Sequence, residues 1–176
     1  MDILYCSSPN FNDRPEGAVI DSIIIHYSGK ACVEDVIDHF QNPESLVSAH
    51  YTICRDGVVY QHVPENKRAW HAGVSRFGPR EEFNHFSIGI ELYNPGHNRG
   101  YIAYTESQIT QLIVLIQDIY HRHPIRPEFV LGHSDIAPTR KQDPGELFPW
   151  ACLERLGLAK RPQTMSQGLH RKRTVG

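Results

Sequence analysis

No run of apolar residues in this chain approaches the roughly 20 needed to cross a bilayer, and the first ten residues do not join a basic stretch to an apolar one as a secretory signal does. No membrane partner is expected; a cytoplasmic location is, with a periplasmic or released form left open. Cysteine is sparse. Cys6, Cys32, Cys54 and Cys152 are scattered over 176 residues, without the CxxC pairs of a zinc knuckle or the density of a disulfide scaffold. They read as small buried hydrophobes of a reducing compartment, although their even number leaves two bridges open. Charge of one sign is also missing, since 18 Lys and Arg against 20 Asp and Glu leave a formal net charge of -2. Such a balance offers no broad electrostatic footprint for nucleic acid, and a ligand of mixed or no charge fits better. There is no internal repeat and no sign of an obligate protein partner.

What is present suffices for one domain. Hydrophobic residues make up 40% and charged residues 22%, a globular composition in a chain long enough to bury its own core. Residues 1–17 are set apart as a leading arm, because Ser7 to Gly17 is polar and carries Pro9 and Pro15. Within Val19 to Tyr27, the β-branched run Ile23-Ile24-Ile25 predicts a strand buried on both faces. His26 would emerge near its C-terminal end, where open α/β sheets place chemistry. Val33, Val36, Ile37 and Phe40 have the spacing of a helix with one buried stripe, ended by Asn42-Pro43. His39 lies off that stripe and reads as a solvated surface group.

Residues His50 to Cys54 and Val58 to Val63 flank Asp56-Gly57, a dipeptide suited to the positive φ angles of a tight hairpin. From Pro64 to Phe86 the pattern is irregular, with exposed-looking Trp70, His71 and Phe77, as in a functional loop. Ser87 to Tyr93 resumes as a strand whose alternation puts Ile88, Ile90 and Leu92 on one face and Glu91 on the other. Thr105-Glu106-Ser107-Gln108 has the form of a capping box ahead of a long amphipathic helix, with His121 and His123 as structural residues at its end. Phe129-Val130-Leu131 reads as a short strand running into Gly132-His133. Leu147 to Leu156 reads as a last helix stopped by Gly157. Residues 158–176 form a polar, basic tail expected to be disordered, which leaves an α/β domain over 18–157.

Three islands concentrate groups suited to one metal ion and one proton transfer: Ile25 to Ser28, Ile90 to Leu92, and Leu131 to Gly145. A lone histidine after an apolar strand is a weak signal. His133 is a stronger one, because Gly132 permits a sharp exit from its strand while Pro138, Pro144 and Gly145 stiffen the segment that follows. That segment can curl back and bring a histidine and a carboxylate onto the same ion. Plainer readings stay open on the residues alone. Glu91 could pair with a basic group at a strand edge, Lys141 could be a solvated loop lysine, and Asp143 could cap a turn before Pro144. Asp135, two residues from His133, reads as a turn cap rather than a ligand.

The run Gly132-His133-Ser134-Asp135-Ile136-Ala137-Pro138, continued by Arg140-Lys141-Gln142-Asp143-Pro144-Gly145, resembles the type 2 N-acetylmuramoyl-L-alanine amidases. These are zinc peptidoglycan amidases of the AmpD and AmiD kind, related in fold to phage amidases and animal peptidoglycan recognition proteins. The resemblance extends from about Ser7 to Leu156. It implies a central mixed β-sheet flanked by helices and one Zn2+ per chain held by His26, His133 and Asp143. It further implies Glu91 as the acid/base carboxylate and Lys141 as the cation that stabilises the transition state. Ser28 stands where the family often has threonine, so the hydroxyl is kept. Asp143 stands where phage and animal relatives commonly have cysteine, which places the chain with the Asp-type enzymes. His50-Tyr51 and Trp70-His71-Ala72-Gly73 resemble groove-lining segments, so Tyr51, Trp70 and His71 are expected at the substrate, with core anchoring the alternative for Tyr51 and Trp70. Arg76, Arg80 and Asn84 are assigned to the stem-peptide carboxylates, which an arginine can engage bidentately.

The function implied is hydrolysis of the amide between the lactyl group of N-acetylmuramic acid, or its 1,6-anhydro form, and L-alanine, with muropeptide or a peptidoglycan fragment as partner. Absence of an export signal favours recycling of soluble fragments. Lytic or remodelling action on intact peptidoglycan stays open, and so does a non-catalytic binding module, although the latter would lack a ligand or the acid/base carboxylate.

Overall fold

The computed structural model describes residues 2–161. In chain order its strands are β1 (Ile3–Tyr5), β2 (Phe11–Asp13), β3 (Ser22–Tyr27), β4 (Tyr51–Ile53), β5 (Val59–Gln61), β6 (Lys67–Ala69), β7 (Arg76–Phe77), β8 (Arg80–Glu81), β9 (Ser87–Leu92) and β10 (Val130–Gly132). The helices are α1 (Val33–Gln41), α2 (Glu106–Arg122), α3 (His133–Ile136) and α4 (Trp150–Arg155). Six strands form one mixed sheet in the order β1-β5-β4-β9-β3-β10. Only the β4–β5 hairpin is antiparallel; the other four pairings are parallel. The fold is therefore an α/β sheet flanked by helices.

Ile23, Ile24 and Ile25 lie in β3 between β9 and β10 and are fully buried, each stabilising the fold by roughly 1.5–3 kcal/mol. Their alternation divides the molecule. Ile23 and Ile25, with Ile88, Ile90 and Leu92 of β9, pack against Leu112, Leu115, Ile116 and Ile119 of α2, and Leu153 of α4 closes the same cluster. Ile24 points the other way, into a smaller cluster with Ala72, Phe83, Leu131 and Ile136. Helix α2 is started by the Thr105–Gln108 capping box. The hairpin turn has Gly57 at φ +93° and Asp56 Oδ1 accepting the Val58 N–H. One sheet face is thus closed by helices, and the second is free to carry polar groups.

Four expectations change. The leading arm is not devoid of elements, because β1 adds to the sheet edge beside β5 and β2 pairs with β6. The stretch 64–86 holds β6 and the short β7–β8 ladder. β6 finds its partner far away in β2, a pairing that local composition does not reveal, whereas β7 and β8 pair locally across Gly78-Pro79. The last helix is shorter than Leu147 to Leu156. The packed chain also continues beyond 157, with Leu158 and Ala159 buried and Arg161 paired with Asp135. The rest of the expected tail, 162–176, lies outside the described residues.

Candidate metal centre

Strands β3, β9 and β10 run parallel and end on one edge of the sheet. His26 is the fifth residue of β3 and stands in register with Glu91 of β9, so both side chains project from the face opposite α2. β10 stops at Gly132, and His133 begins α3 at once. The chain then loops back through Pro138 and is pinned where the Ser134 N–H donates to the Asp143 carbonyl (2.9 Å). Tyr101 and Tyr104 hydroxyls both donate to the Pro144 carbonyl (2.7 and 2.6 Å), which fixes the segment carrying Asp143. Gly132 is needed here, since a Cβ would come within 2.7 Å of Pro144 Cδ.

These constraints bring three buried atoms together. His26 Nδ1 lies 2.9 Å from His133 Nδ1, and each is 3.0 Å from Asp143 Oδ2. His133 donates from Nε2 to the Ala72 carbonyl (3.0 Å), which leaves its Nδ1 lone pair turned inward. Burial, reinforced by the neighbouring His133, lowers the His26 imidazole to a pKa of about 4, so the ring is neutral at pH 7. Two imidazole nitrogens and a carboxylate oxygen that converge at this distance need a hydrogen or a cation among them. Two nitrogens and one oxygen, with a coordination position left for water, are the donor set of a hydrolytic zinc site. His26, His133 and Asp143 are placed to hold a single Zn2+ ion.

The centre opens into a cleft of about 580 Å³, within the range of roughly 300–1,000 Å³ usual for small-ligand sites. Glu91 and Lys141 both line it. Glu91 is partly exposed, yet its Oε2 is sealed from solvent with no hydrogen-bond partner among the described residues. Burial, with the Asp143 charge adding and Lys141 opposing, raises its carboxyl to about 8.

His71 also borders the cleft, but it is buried and its Nδ1 meets His26 Nε2 at 3.0 Å, where it looked exposed in sequence. The remaining expected substrate residues are not brought to the cleft lining. Tyr51 faces the α2 side and donates to Glu65 Oε1 (2.8 Å), in a cluster with Arg122 and His123. Trp70 donates from Nε1 to Asn12 Oδ1. Arg76 pairs with Glu81, while Arg80 pairs with Asp21 and lies over the Phe86 and Phe129 rings. Asn84 is buried, its Oδ1 accepting the His71 and Ala72 N–H groups, so it holds the segment that contacts both histidine ligands. Asp135 accepts the Gly132 N–H (2.6 Å) and stays out of the triad, as a cap does.

Lys30, His39 and Arg140 line the cleft without having been singled out as site residues. Lys30 and Arg140 are close in sequence to His26 and Lys141, which is a usable signal. His39 had none, because its position off the apolar stripe of α1 suggests solvent rather than a cleft. Ser28 exchanges hydrogen bonds with Asn94 (3.3 Å), while α1 is capped by Cys32.

Comparison with known proteins bears on the same residues. Residues 16–146 match the family described as N-acetylmuramoyl-L-alanine amidase. The chain is 49% identical over 161 residues to the 1,6-anhydro-N-acetylmuramyl-L-alanine amidase AmpD of Citrobacter freundii, covering 82% of this chain and 84% of that one. The crystal structure of a selenomethionine AmpD derivative superposes with a TM-score of 0.77 at 35% identity, over 90% of this chain and 94% of the other. Escherichia coli AmiD, in complex with the substrate anhydro-N-acetylmuramic acid-L-Ala-D-gamma-Glu-L-Lys, superposes with a TM-score of 0.75 at 34% identity, over 86% of this chain and 63% of that one.

Proposed function

Since this chain belongs to the N-acetylmuramoyl-L-alanine amidase family and is a zinc-dependent hydrolase of the amide between N-acetylmuramic acid and L-alanine in peptidoglycan fragments, we propose that it acts on soluble muropeptides in cell-wall recycling, with Glu91 as acid/base and Lys141 as the stabilising cation. A zinc ion held by His26, His133 and Asp143 supplies Lewis acidity toward the scissile carbonyl and toward water. The orphaned, sealed Oε2 of Glu91 carries the assignment of the proton step. It lies across the strand pair from a zinc ligand, has no competing hydrogen bond among the described residues, and holds its proton unusually tightly in the metal-free chain. A cation held by the triad would lower that affinity beyond the effect Lys141 already has, so that Glu91 could take a proton from the attacking water and return it to the leaving nitrogen. Lys141 supports the carbonyl oxygen as it becomes negative.

The choice of soluble fragments is supported by the relatives named for 1,6-anhydro-N-acetylmuramyl substrates and by the anhydro-sugar peptide bound to AmiD. No helix among the described residues is long and apolar enough to cross a membrane. Product mass spectrometry on soluble anhydromuropeptide and on intact peptidoglycan, at equal enzyme, tests bond and substrate size together. Release of free peptide from the soluble fragment, with slow attack on sacculi, is expected; equal rates on both would replace recycling by a lytic role. His26→Ala, His133→Ala and Asp143→Ala are each expected to lose zinc on gel filtration, and a fully active, metal-free His133→Ala protein would reject the centre.

A further inference from the structure

His26 is the ligand whose inward lone pair does not follow from its nearest partner. Its Nε2 faces another imidazole nitrogen, His71 Nδ1, at 3.0 Å, and either ring could donate across that gap. The ambiguity ends further along the chain of contacts. His71 Nε2 lies 3.2 Å from Ser87 Oγ, and that oxygen is 2.5 Å from the Phe83 carbonyl. A carbonyl only accepts, and a serine hydroxyl has one hydrogen to give. That hydrogen is committed to Phe83, so Ser87 offers His71 a lone pair. His71, as a neutral ring, then carries its hydrogen on Nε2 and accepts at Nδ1. His26 must donate from Nε2, which leaves its Nδ1 bare beside His133 Nδ1 and Asp143 Oδ2. Reversing the Ser87 hydroxyl would reverse each step and place a hydrogen on His26 Nδ1, inside the ligand triangle.

We propose that Ser87 is a positioning residue for the metal centre: acting through His71, it sets the ring tautomer of His26 and frees Nδ1 for zinc. The inference deepens the zinc-amidase reading and moves His71 from substrate groove to metal support. The surroundings hold the relay rigidly. Ser87 is fully buried. The His71 ring lies against Gly89, where a Cβ would come within 2.4 Å of His71 Cγ. The His71 N–H is fixed by Asn84 Oδ1 (3.1 Å). Metal-bound histidines generally have the second nitrogen hydrogen-bonded in this manner, with the outer partner selecting the tautomer.

Long-range 15N–1H correlation spectra of the zinc-free protein report which nitrogen of each ring carries hydrogen. Wild type is expected to show His26 protonated at Nε2; protonation at Nδ1 would overturn the proposal, whatever any variant does. In Ser87→Ala, His26 is expected to become a mixture of tautomers and zinc to be held roughly 10–100-fold more weakly in chelator competition. His133, anchored on the Ala72 carbonyl, should keep its Nε2 hydrogen in the same sample, which separates loss of the relay from general loosening. Ser87→Thr retains the hydroxyl and should restore both readouts. An unchanged His26 tautomer with unchanged zinc affinity in Ser87→Ala would refute the role of Ser87. A wild-type protein that binds no zinc would refute the metal centre itself.

Discussion

At the scale of single residues, the centre depends on side chains that have lost their ordinary surroundings. Glu91 has an oxygen sealed from bulk solvent and without a donor among the described residues, a costly state for a polar atom unless a ligand completes it. Glu91→Gln preserves the shape and removes the proton carrier. It is expected to retain stoichiometric zinc by metal analysis while turnover falls by about 100- to 10,000-fold; near-normal turnover would assign the proton step elsewhere. Gly89 has a different constraint. A methyl group there overlaps the His71 ring, so Gly89→Ala is expected to lower stability by about 1–3 kcal/mol in urea titrations. An unaltered midpoint would mean that the ring moves aside without cost.

Among elements, the sheet separates stability from chemistry. Helix α2 covers the face opposite the zinc ligands and packs through Leu112, Leu115, Ile116 and Ile119. Its capping box joins the Thr105 hydroxyl to the Gln108 N–H (3.1 Å), and Gln108 in turn binds the Ile53 and Tyr93 carbonyls. Thr105→Ala should therefore cost about 1 kcal/mol of folding stability and leave zinc affinity unchanged, as thermal melts alongside chelator competition would show. A weakened zinc site in that variant would reveal coupling across the sheet. This element was foreseeable because a capping box and an apolar stripe are properties of residues within one or two turns. The ladder β2–β6 was not, since each strand's partner lies elsewhere in the chain, and β7–β8, although local, is too short to carry an alternating pattern.

For the molecule as a whole, the number of buried histidines governs the response to acid. Burial lowers His50 to a pKa of about 3, with Arg14 adding, and burial lowers His62 to about 4. Both groups are neutral in the fold and bind a proton in the unfolded chain below the usual 6.5. The unfolded state then holds more protons, so stability rises with pH through this window. Their contribution is complete above pH 6.5 and is lost as pH falls toward 4 and then 3, about 3 kcal/mol for His62 and about 5 kcal/mol for His50. Glu65 adds a later loss. Burial works to raise its carboxyl, but donors from Arg122, His123 and Tyr51 outweigh burial and hold it at about 2, so its contribution disappears as pH falls from 4.5 to 2. Melting temperature is expected to drop steeply between pH 6.5 and 4, and His62→Gln to flatten part of that slope. A flat profile down to pH 4 would show that these rings protonate without penalty.

Residue order by itself determined the β3 and β9 strands, the hairpin, α1, α2 and the cluster of zinc-suited groups at strand ends, because each rests on short-range periodicity, turn chemistry or a dense local motif. Tertiary structure alone decided what surrounds them. Tyr51 turns to Glu65 and Arg80 to Asp21, while His71 reaches a ligand 45 positions away. A side chain's partner across such a distance is chosen by the close packing of strands and loops that meet only on folding, and spacing along the chain carries no record of that partner.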